Sequence, residues 1–377
     1  MREIPFYKPL VDKLEFTYIS EVLDGDKPSK IDQLEASVAK FIGAKHAIAT
    51  YNGTAAMHLA MCAMDIKRGD KFICSVNSAP SVAEVVRHFD AEPIFVDINA
   101  DDFNIDVDKL ERTLVKEAHK KLKGVFVPHA AGQPSDMDAI YELAKHHNVK
   151  VVDDATNAFG ATYNGKKIGS LDSAISCFRF SPRLKYSTAG GGIMTMADEE
   201  LYERAKLLIN HAIVGSGWDK FGNLGYIYDV VDIGVKYDIN EINAAYVLAQ
   251  LTKLDKIISS RRKIAAIYDK AFESCHNIKT PVAKRDHTYS QYIIKVDKNR
   301  DSFAKELKEA GIFTGLHYIP LHLLSYYKNK YGLKVNDFPT ALANYQQILS
   351  LPIYAAMSED DISYVCETVQ KIALHRV

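Results

Sequence analysis

The stretch TYNGTAAMHLA, residues 50–60, places a glycine and a threonine directly before an apolar helical pattern. Backbone N–H groups at the start of a helix, together with a threonine hydroxyl, suit the charge of a phosphate group. Gly53 and Thr54 are therefore candidate phosphate ligands. The same residues also fit an ordinary helix cap at Asn52 or Thr54, and the sequence leaves both interpretations open.

A second segment, VVDDATNAFGA at residues 151–161, ends an apolar run with two acidic residues. An aspartate in that place could hold the protonated ring nitrogen of a pyridine cofactor, which makes the ring an electron sink. The alternative is an acidic strand end that caps the next helix.

Two further segments carry suggestive residues. FRFSPRLKYSTAGGG, residues 178–192, combines a proline turn, one lysine and three consecutive glycines, which is typical of a cofactor-binding loop. DIGVKYDINEINAA, residues 232–245, is irregular, aromatic and charged before it becomes helical. It also fits a solvated loop with Asn240 as a helix cap.

The elements that would position these segments alternate between strand and helix patterns from about residue 30 to residue 250. The predicted strands are KFICSV, EPIFVDI, GVFVPHA and VKVVDDA, and the predicted helices include IDQLEASVAKFIGA, AAMHLAMCAMDI, SVAEVVRHFDA, DVDKLERTLVKEA and DMDAIYELAKHHN. This alternation predicts an α/β fold with a mainly parallel sheet and right-handed crossovers. Ligands of such sheets bind at the carboxyl ends of the strands.

The pattern changes beyond about residue 275. A helical run from Glu241 to Cys275 is too long for a typical single helix, so we expect it to bend or end midway. TYSQYIIKVD and TGLHY then read as strands, and RDSFAKELKEAGI and DDISYVCETVQKIALHRV as helices. We predict a large α/β domain at residues 1–250 and a small α+β domain at residues 251–377.

Composition excludes several classes of function. The chain has 377 residues and a formal net charge of −1, which gives no reason to propose nucleic acid or an anionic membrane as a partner. The N-terminus has no signal-peptide pattern and no run is long and apolar enough to span a bilayer, so we expect a cytoplasmic protein. Its five scattered cysteines form no CxxC pair. The spacing of His317 and His322 is not usual for a metal site, and none is predicted.

The order of short motifs along nearly the whole chain resembles the DegT/StrS family of sugar-nucleotide aminotransferases, which are fold-type I enzymes dependent on pyridoxal phosphate (PLP). The resemblance runs through IPFYKP, NGTAAMHLA, EPIFVDI, GQPSDMDAI, YNGKKIGSL, GGGIMT, NEINAAYVLAQL, RRKIAAIYDK, GLHYIPLHL and LSLPIY. It implies a PLP-dependent transferase fold with a seven-stranded sheet and a homodimer whose active sites lie at the subunit interface. It also implies glutamate or glutamine as amino donor and a keto-sugar nucleotide as acceptor.

The resemblance also assigns positions. It implies that Asp154 binds the ring nitrogen, that Gly53 and Thr54 bind the phosphate, and that Asn157 replaces the glutamine or histidine that follows the aspartate. The substrate side falls on three residues of the motif GLHYIPLHL: His317, Tyr318 and His322. These three residues could equally be packing residues.

Several positions depart from the family pattern. Alignment from the proline on one side and from the glycines on the other puts Leu184 at the position of the Schiff-base lysine, and Lys185 lies one residue away. Lys185 would need a local bulge to reach the cofactor, because a one-residue shift in an extended segment turns a side chain to the opposite face. The phosphate-binding serine falls at Arg179, and the asparagine that reaches the phosphate from the other subunit falls at Lys236. The ring-stacking aromatic falls near Ala79.

Two functions follow from these departures. In the first, the protein binds a sugar nucleotide or another anionic ligand, or serves as a scaffold, without ordinary transamination, and PLP forms no internal aldimine with a standard lysine. In the second, it is an active aminotransferase of a keto-sugar nucleotide that uses Lys185 or Lys236, in cell-surface glycan or secondary-metabolite biosynthesis. A different chemistry that does not use PLP is a third possibility.

Overall fold

The computed structural model describes residues 2–25, 28–118, 120–180, 189–215 and 228–374. The strands are β1 (His46–Thr50), β2 (Lys71–Ser75), β3 (Glu92–Val96), β4 (Leu122–Pro128), β5 (Lys150–Asp154), β6 (Thr162–Tyr163), β7 (Lys166–Lys167), β8 (Ile175–Phe180), β9 (Gly191–Met196), β10 (Ile213–Val214), β11 (Asp229–Val230), β12 (Ile278–Lys279), β13 (Tyr292–Val296) and β14 (Ile348–Leu351). The helices are α1 (Lys13–Leu23), α2 (Lys30–Ile42), α3 (Gly53–Ala63), α4 (Pro80–Arg87), α5 (Val107–Lys116), α6 (Met137–His146), α7 (Glu199–Leu208), α8 (Glu241–Leu251), α9 (Leu254–Phe272), α10 (Arg300–Glu309), α11 (Ser325–Tyr331), α12 (Pro339–Gln347) and α13 (Glu359–Leu374).

The central feature is a seven-stranded sheet with the strand order β1-β9-β8-β5-β4-β2-β3. Strands β3, β2, β4, β5 and β8 run parallel, whereas β9 is antiparallel to both β8 and β1. One large apolar cluster packs helices α2, α5, α6 and α8 against the sheet, and another packs α3, α4 and α7 against it. The fold class predicted from the sequence, a mainly parallel sheet of fold-type I, is confirmed.

The helices begin and end where the sequence supplies caps. Ser29 accepts a hydrogen bond from the backbone N–H of Asp32 at the start of α2, and Gly43 ends that helix with a left-handed φ of 83°. The long helical run separates into α8 and α9 at Thr252 and Lys253, as predicted. Among the helices of the described ranges, none has the length and apolar character that crossing a bilayer requires.

A smaller antiparallel sheet, β12-β13-β14, packs on α9, α10 and α13. Its core is rich in buried aromatic side chains, among them Tyr268, Tyr292 and Phe303. The N-terminal segment joins this core, because Ile4 is buried there and pairs with Ile312. The backbone N–H of Ile4 donates to Gly311 over 2.8 Å, so the first residues of the chain complete the C-terminal core.

One predicted strand is wrong. Of the stretch TGLHY, only Gly315 forms a bridge, to Ser350. The chain then leaves the sheet and contacts the loop after β2, where the N–H of Leu321 donates to the Val76 carbonyl over 2.8 Å. The N–H of Tyr318 lies 3.3 Å from Asn77 Oδ1. Strand pairing is replaced here by contacts with the larger sheet.

Candidate functional site

Strand β5 ends with two acidic residues that the structure assigns to different environments. Asp153 is fully buried and accepts hydrogen bonds from Ser173 Oγ at 2.8 Å and Ser176 Oγ at 2.6 Å, which satisfies both carboxylate oxygens. Asp154 accepts from Thr156 Oγ1 at 2.7 Å through Oδ1 and lines a cavity at the carboxyl edge of the sheet. The geometry therefore singles out Asp154 as the acid that can meet a ligand.

The cavity beside Asp154 is small, about 10 Å³, which is room for about one water molecule. It is lined by Asn77, Ser78, Phe103, Pro128, Ala130, Ala131, Asp154, Asn157, Gln291, Ile293, His317 and Tyr318. Three sequence-predicted residues, Asn157, His317 and Tyr318, therefore lie together with Asp154.

His322 does not line this cavity. Its side chain is fully buried, its Nε2 lies 3.1 Å from the Val335 carbonyl, and its ring packs on Phe338 at a centroid distance of 5.0 Å. Burial lowers the pKa of the His322 imidazole. These contacts correspond to the packing interpretation that the sequence left open for this residue.

Gly53 and Thr54 begin helix α3 at the same edge of the sheet. Asn52 caps the helix, and its Oδ1 accepts from the N–H of Ala55 at 2.8 Å. A Cβ on Gly53 would lie 2.9 Å from the Cβ of Arg179, so the glycine allows the helix start to approach strand β8 closely. Thr54 is exposed. The helix N-terminus and Arg179 are thus neighbours, as the phosphate-site prediction requires.

The glycine run serves a similar close approach. A Cβ on Gly192 would overlap the carbonyl group of Asn52 and lie 2.6 Å from Thr50 Oγ1. Strand β9 is therefore pressed against the loop that starts α3. Leu184 and Lys185, which precede this run, lie outside the described residues.

Ala79, at the position where the family carries a ring-stacking aromatic, caps helix α4 and is partly exposed. Lys236 is more than half exposed, and its Nζ lies 2.9 Å from Asp238 Oδ1 and 3.0 Å from Asn210 Oδ1. Neither residue lines the Asp154 cavity.

The described residues fit the two polar ends of PLP. Asp154 lines the cavity with a carboxylate, which suits a protonated ring nitrogen, and the start of α3 beside Arg179 suits a phosphate. PLP bound in this way would supply an electron sink next to Asp154.

A second, larger cavity was not predicted. It measures about 160 Å³, contains Arg179 and Arg261, and borders the end of β8, helices α8 and α9, and Tyr7. Arg261 lies three or four residues from the buried residues Ile258, Ile264 and Ala265, so it falls on the apolar face of α9. A cation on an apolar helix face was the sequence signal that could have indicated this cavity.

Comparisons with known proteins agree with this architecture. Residues 10–370 match the family model described as the DegT/DnrJ/EryC1/StrS aminotransferase family. The spore coat polysaccharide biosynthesis protein SpsC of Bacillus subtilis is 36% identical over 98% of this chain and 97% of its own length.

Solved structures are also similar. The sugar aminotransferase Spr1654 of Streptococcus pneumoniae, in its PLP-form, superposes with a TM-score of 0.90 at 26% identity and covers 100% of both chains. DesV of S. venezuelae superposes with a TM-score of 0.86 at 27% identity, over 96% of this chain and 95% of that one. With its fold, its carboxyl-edge site and these similarities taken together, the chain belongs to the DegT/DnrJ/EryC1/StrS aminotransferase family.

Proposed function

We propose that this family member binds a sugar nucleotide or a related anionic ligand, and that any PLP it holds has no covalent link to a standard lysine. The observation that carries the proposal is the placement of Leu184 at the lysine position of the loop, beside an arginine at the phosphate-serine position. Leucine cannot form a Schiff base or move a proton, so the general acid and base of transamination is missing.

The remaining residues support ligand binding. Asp154 stays available to a ring nitrogen, and the start of α3 stays available to a phosphate. Arg179 adds positive charge next to that helix start, and a guanidinium can donate two parallel hydrogen bonds to phosphate oxygens. The site is therefore suited to anions even where the covalent chemistry is absent.

An absorbance scan of the purified protein with and without added PLP tests the proposal. Borohydride reduction and peptide mass mapping follow. We expect any PLP band to disappear on dialysis, with no reduced adduct on a lysine. An Asp154→Asn variant should bind PLP more weakly, by about tenfold, because it loses a charge-assisted hydrogen bond. A reduced adduct on Lys185 or Lys236 overturns the proposal.

The second candidate is an active PLP-dependent aminotransferase that acts on a keto-sugar nucleotide. It is favoured by the retained Asp154 and glycine run and by the names of similar proteins, a sugar aminotransferase and a spore coat polysaccharide biosynthesis protein. Glutamate-dependent amination measured in Lys185→Met and Lys236→Met variants distinguishes the two lysines. If the wild type is active and neither substitution abolishes the activity, neither Lys185 nor Lys236 is the lysine that binds PLP covalently.

We further propose a homodimer. Val230, Val231 and Ile233 expose apolar surface shortly before Lys236, and Ile233 is 91% exposed. Several exposed apolar side chains next to a residue that the resemblance assigns to the neighbouring subunit's site favour a second copy as the partner. Light scattering should give a dimer for the wild type and for Val115→Asp, and a monomer for Ile233→Asp. A monomeric wild type at micromolar concentration contradicts this.

The proposed setting is polysaccharide or secondary-metabolite biosynthesis in the cytoplasm. The name of SpsC supports the first part. All five cysteines are free thiols, which supports a reducing compartment. Fractionation of the native host with a specific antibody tests the location, and recovery in a secreted fraction contradicts it.

A further inference from the structure

The larger cavity adjoins the one beside Asp154, and its lining includes Arg179 of the proposed phosphate site. It opens between the end of β8 and the α8–α9 pair, and among the described lining residues it shares Asn157 alone with the Asp154 cavity. Its lining combines polar and apolar side chains: Tyr7, Thr156, Asn157, Phe159, Arg179, Phe180, Tyr246, Val247, Gln250, Leu251, Leu254, Ile257, Arg261 and Ser290. The cavity can therefore receive a molecule with a charged end and an apolar body.

The charged side chains of this lining all have the same sign. Arg179 and Arg261 line the cavity, and no aspartate or glutamate appears among the described lining residues. Within the described ranges, neither guanidinium forms an ion pair, whereas Arg262, the next residue on α9, pairs with Asp286. The cavity thus concentrates two positive charges without a protein anion.

Two buried polar atoms in the same lining lack a hydrogen-bond partner within the described structure. They are Nε of Arg261 and Oγ of Ser290. The Arg261 side chain is partly buried, and this burial lowers the pKa of its guanidinium. Unsatisfied buried donors and uncompensated buried charge both cost stability, so they mark a place where a ligand with acceptor oxygens gains free energy by binding.

We propose that this cavity is a binding site for a small organic anion, a carboxylate or phosphate monoester whose oxygens bind Arg261 and Ser290 and whose apolar body packs on Phe159, Phe180 and Leu254. The cavity volume of about 160 Å³ is roughly sixteen times that of the cavity beside Asp154, so it accommodates such a group. This site adjoins the one proposed at Asp154 and the start of α3, and Arg261 and Ser290 are the residues that distinguish it.

Calorimetric titration at fixed ionic strength tests the proposal, with phenyl phosphate and benzoate as probes and benzyl alcohol as the neutral match. We expect at least one of the two anions to bind the wild type and benzyl alcohol not to bind. Arg261→Gln should lower the affinity for that anion by about 10- to 100-fold, since a charge-assisted hydrogen bond is lost. Arg262→Gln, which makes the same charge change outside the cavity, should keep the wild-type affinity.

The melting temperature of Arg261→Gln shows whether a loss of binding comes from the missing guanidinium or from misfolding. Because Arg261 has no protein anion, Arg261→Gln should melt at or above the wild-type temperature without ligand, and Arg261→Lys should keep part of the affinity. A preference for phenyl phosphate assigns the site to phosphate esters, and a preference for benzoate assigns it to carboxylates. No binding of either anion, or equal affinity in Arg261→Gln, overturns the proposal. PLP binding should depend on Asp154 and not on Arg261, so the Asp154→Asn and Arg261→Gln variants distinguish the two proposals.

Discussion

Two adjacent glycines in strand β9 provide a sharp test of the packing that builds the site. A Cβ on Gly192 would meet backbone atoms of Asn52 and lie 2.6 Å from Thr50 Oγ1. A Cβ on Gly191 would lie 2.6 Å from Cδ1 of Ile239 and 3.4 Å from the Thr50 carbonyl oxygen. The first obstacle is backbone, whereas the second is the far end of a flexible side chain.

The costs of the two alanine substitutions should therefore differ. Strand β9 is paired on both sides, and the Asn52 carbonyl accepts the N–H of Ala56, so neither can move away without loss of backbone hydrogen bonds. We expect Gly192→Ala to lower the free energy of unfolding by about 3 kcal/mol or more, at the upper end of overpacking. Gly191→Ala should change it by about 1 kcal/mol or less, because Ile239 can adopt another rotamer and the alanine lowers the entropy of the unfolded chain.

Urea denaturation followed by circular dichroism measures both variants, and PLP binding gives a second readout. Displacing Asn52 disturbs the cap of α3, so Gly192→Ala should also weaken phosphate binding more than Gly191→Ala does. Equal destabilisation of the two variants, or a larger effect of Gly191→Ala, would refute the reasoning.

Two further predictions concern charge. Burial lowers the pKa of His287 to about 3, below its ordinary value of 6.5. The folded protein holds His287 neutral, whereas the unfolded chain protonates it below pH 6.5. The contribution of His287 to stability is therefore complete above pH 6.5 and is lost as the pH falls toward 3. Between pH 6 and 4 the stability of His287→Gln should fall less steeply than that of the wild type, by about 1.4 kcal/mol per pH unit, and parallel slopes in urea denaturation would exclude this. Lys253 Nζ contacts both carboxylate oxygens of buried Glu15 at 2.6 and 2.7 Å, so Lys253→Met should cost about 3–5 kcal/mol. Lys45→Met, which breaks an exposed pair with Glu199, should cost less than about 1 kcal/mol, and similar losses in both variants would contradict the burial argument.

The alternating helices and strands between residues 30 and 250 were predictable because hydrophobic periodicity is a local signal. The strand from Lys150 to Asp154 and the helix that ends at Gly43 follow from apolar spacing and caps within a few residues. The break between α8 and α9 followed from length alone. The pair Asp153–Asp154 stood out because acidic residues at the end of a buried strand are unusual, whereas the choice of Asp154 came from the family resemblance.

Features that depend on distant residues were not predictable. The antiparallel insertion of β9 between β1 and β8 is fixed by pairing across the sheet, and no local pattern in GGIMT specifies it. The prediction of a strand at TGLHY was wrong because Tyr318 and Leu321 hydrogen-bond to the loop after β2 instead of pairing with a strand. The second cavity needed the approach of Arg261 to Arg179 across 82 residues of sequence, which spacing cannot reveal.

The placement of Ile4 in the C-terminal core affects the order in which the protein can fold during synthesis. The N-terminal segment leaves the ribosome first, but its bridging partner, Ile312, emerges after most of the chain. Until Ile312 has emerged, Ile4 has no C-terminal core to pack against, and the large sheet must form without the N-terminal segment. A fragment that starts near residue 251 would lack the segment that covers Ile312 and Gly311, and it would expose an unpaired backbone edge prone to aggregation.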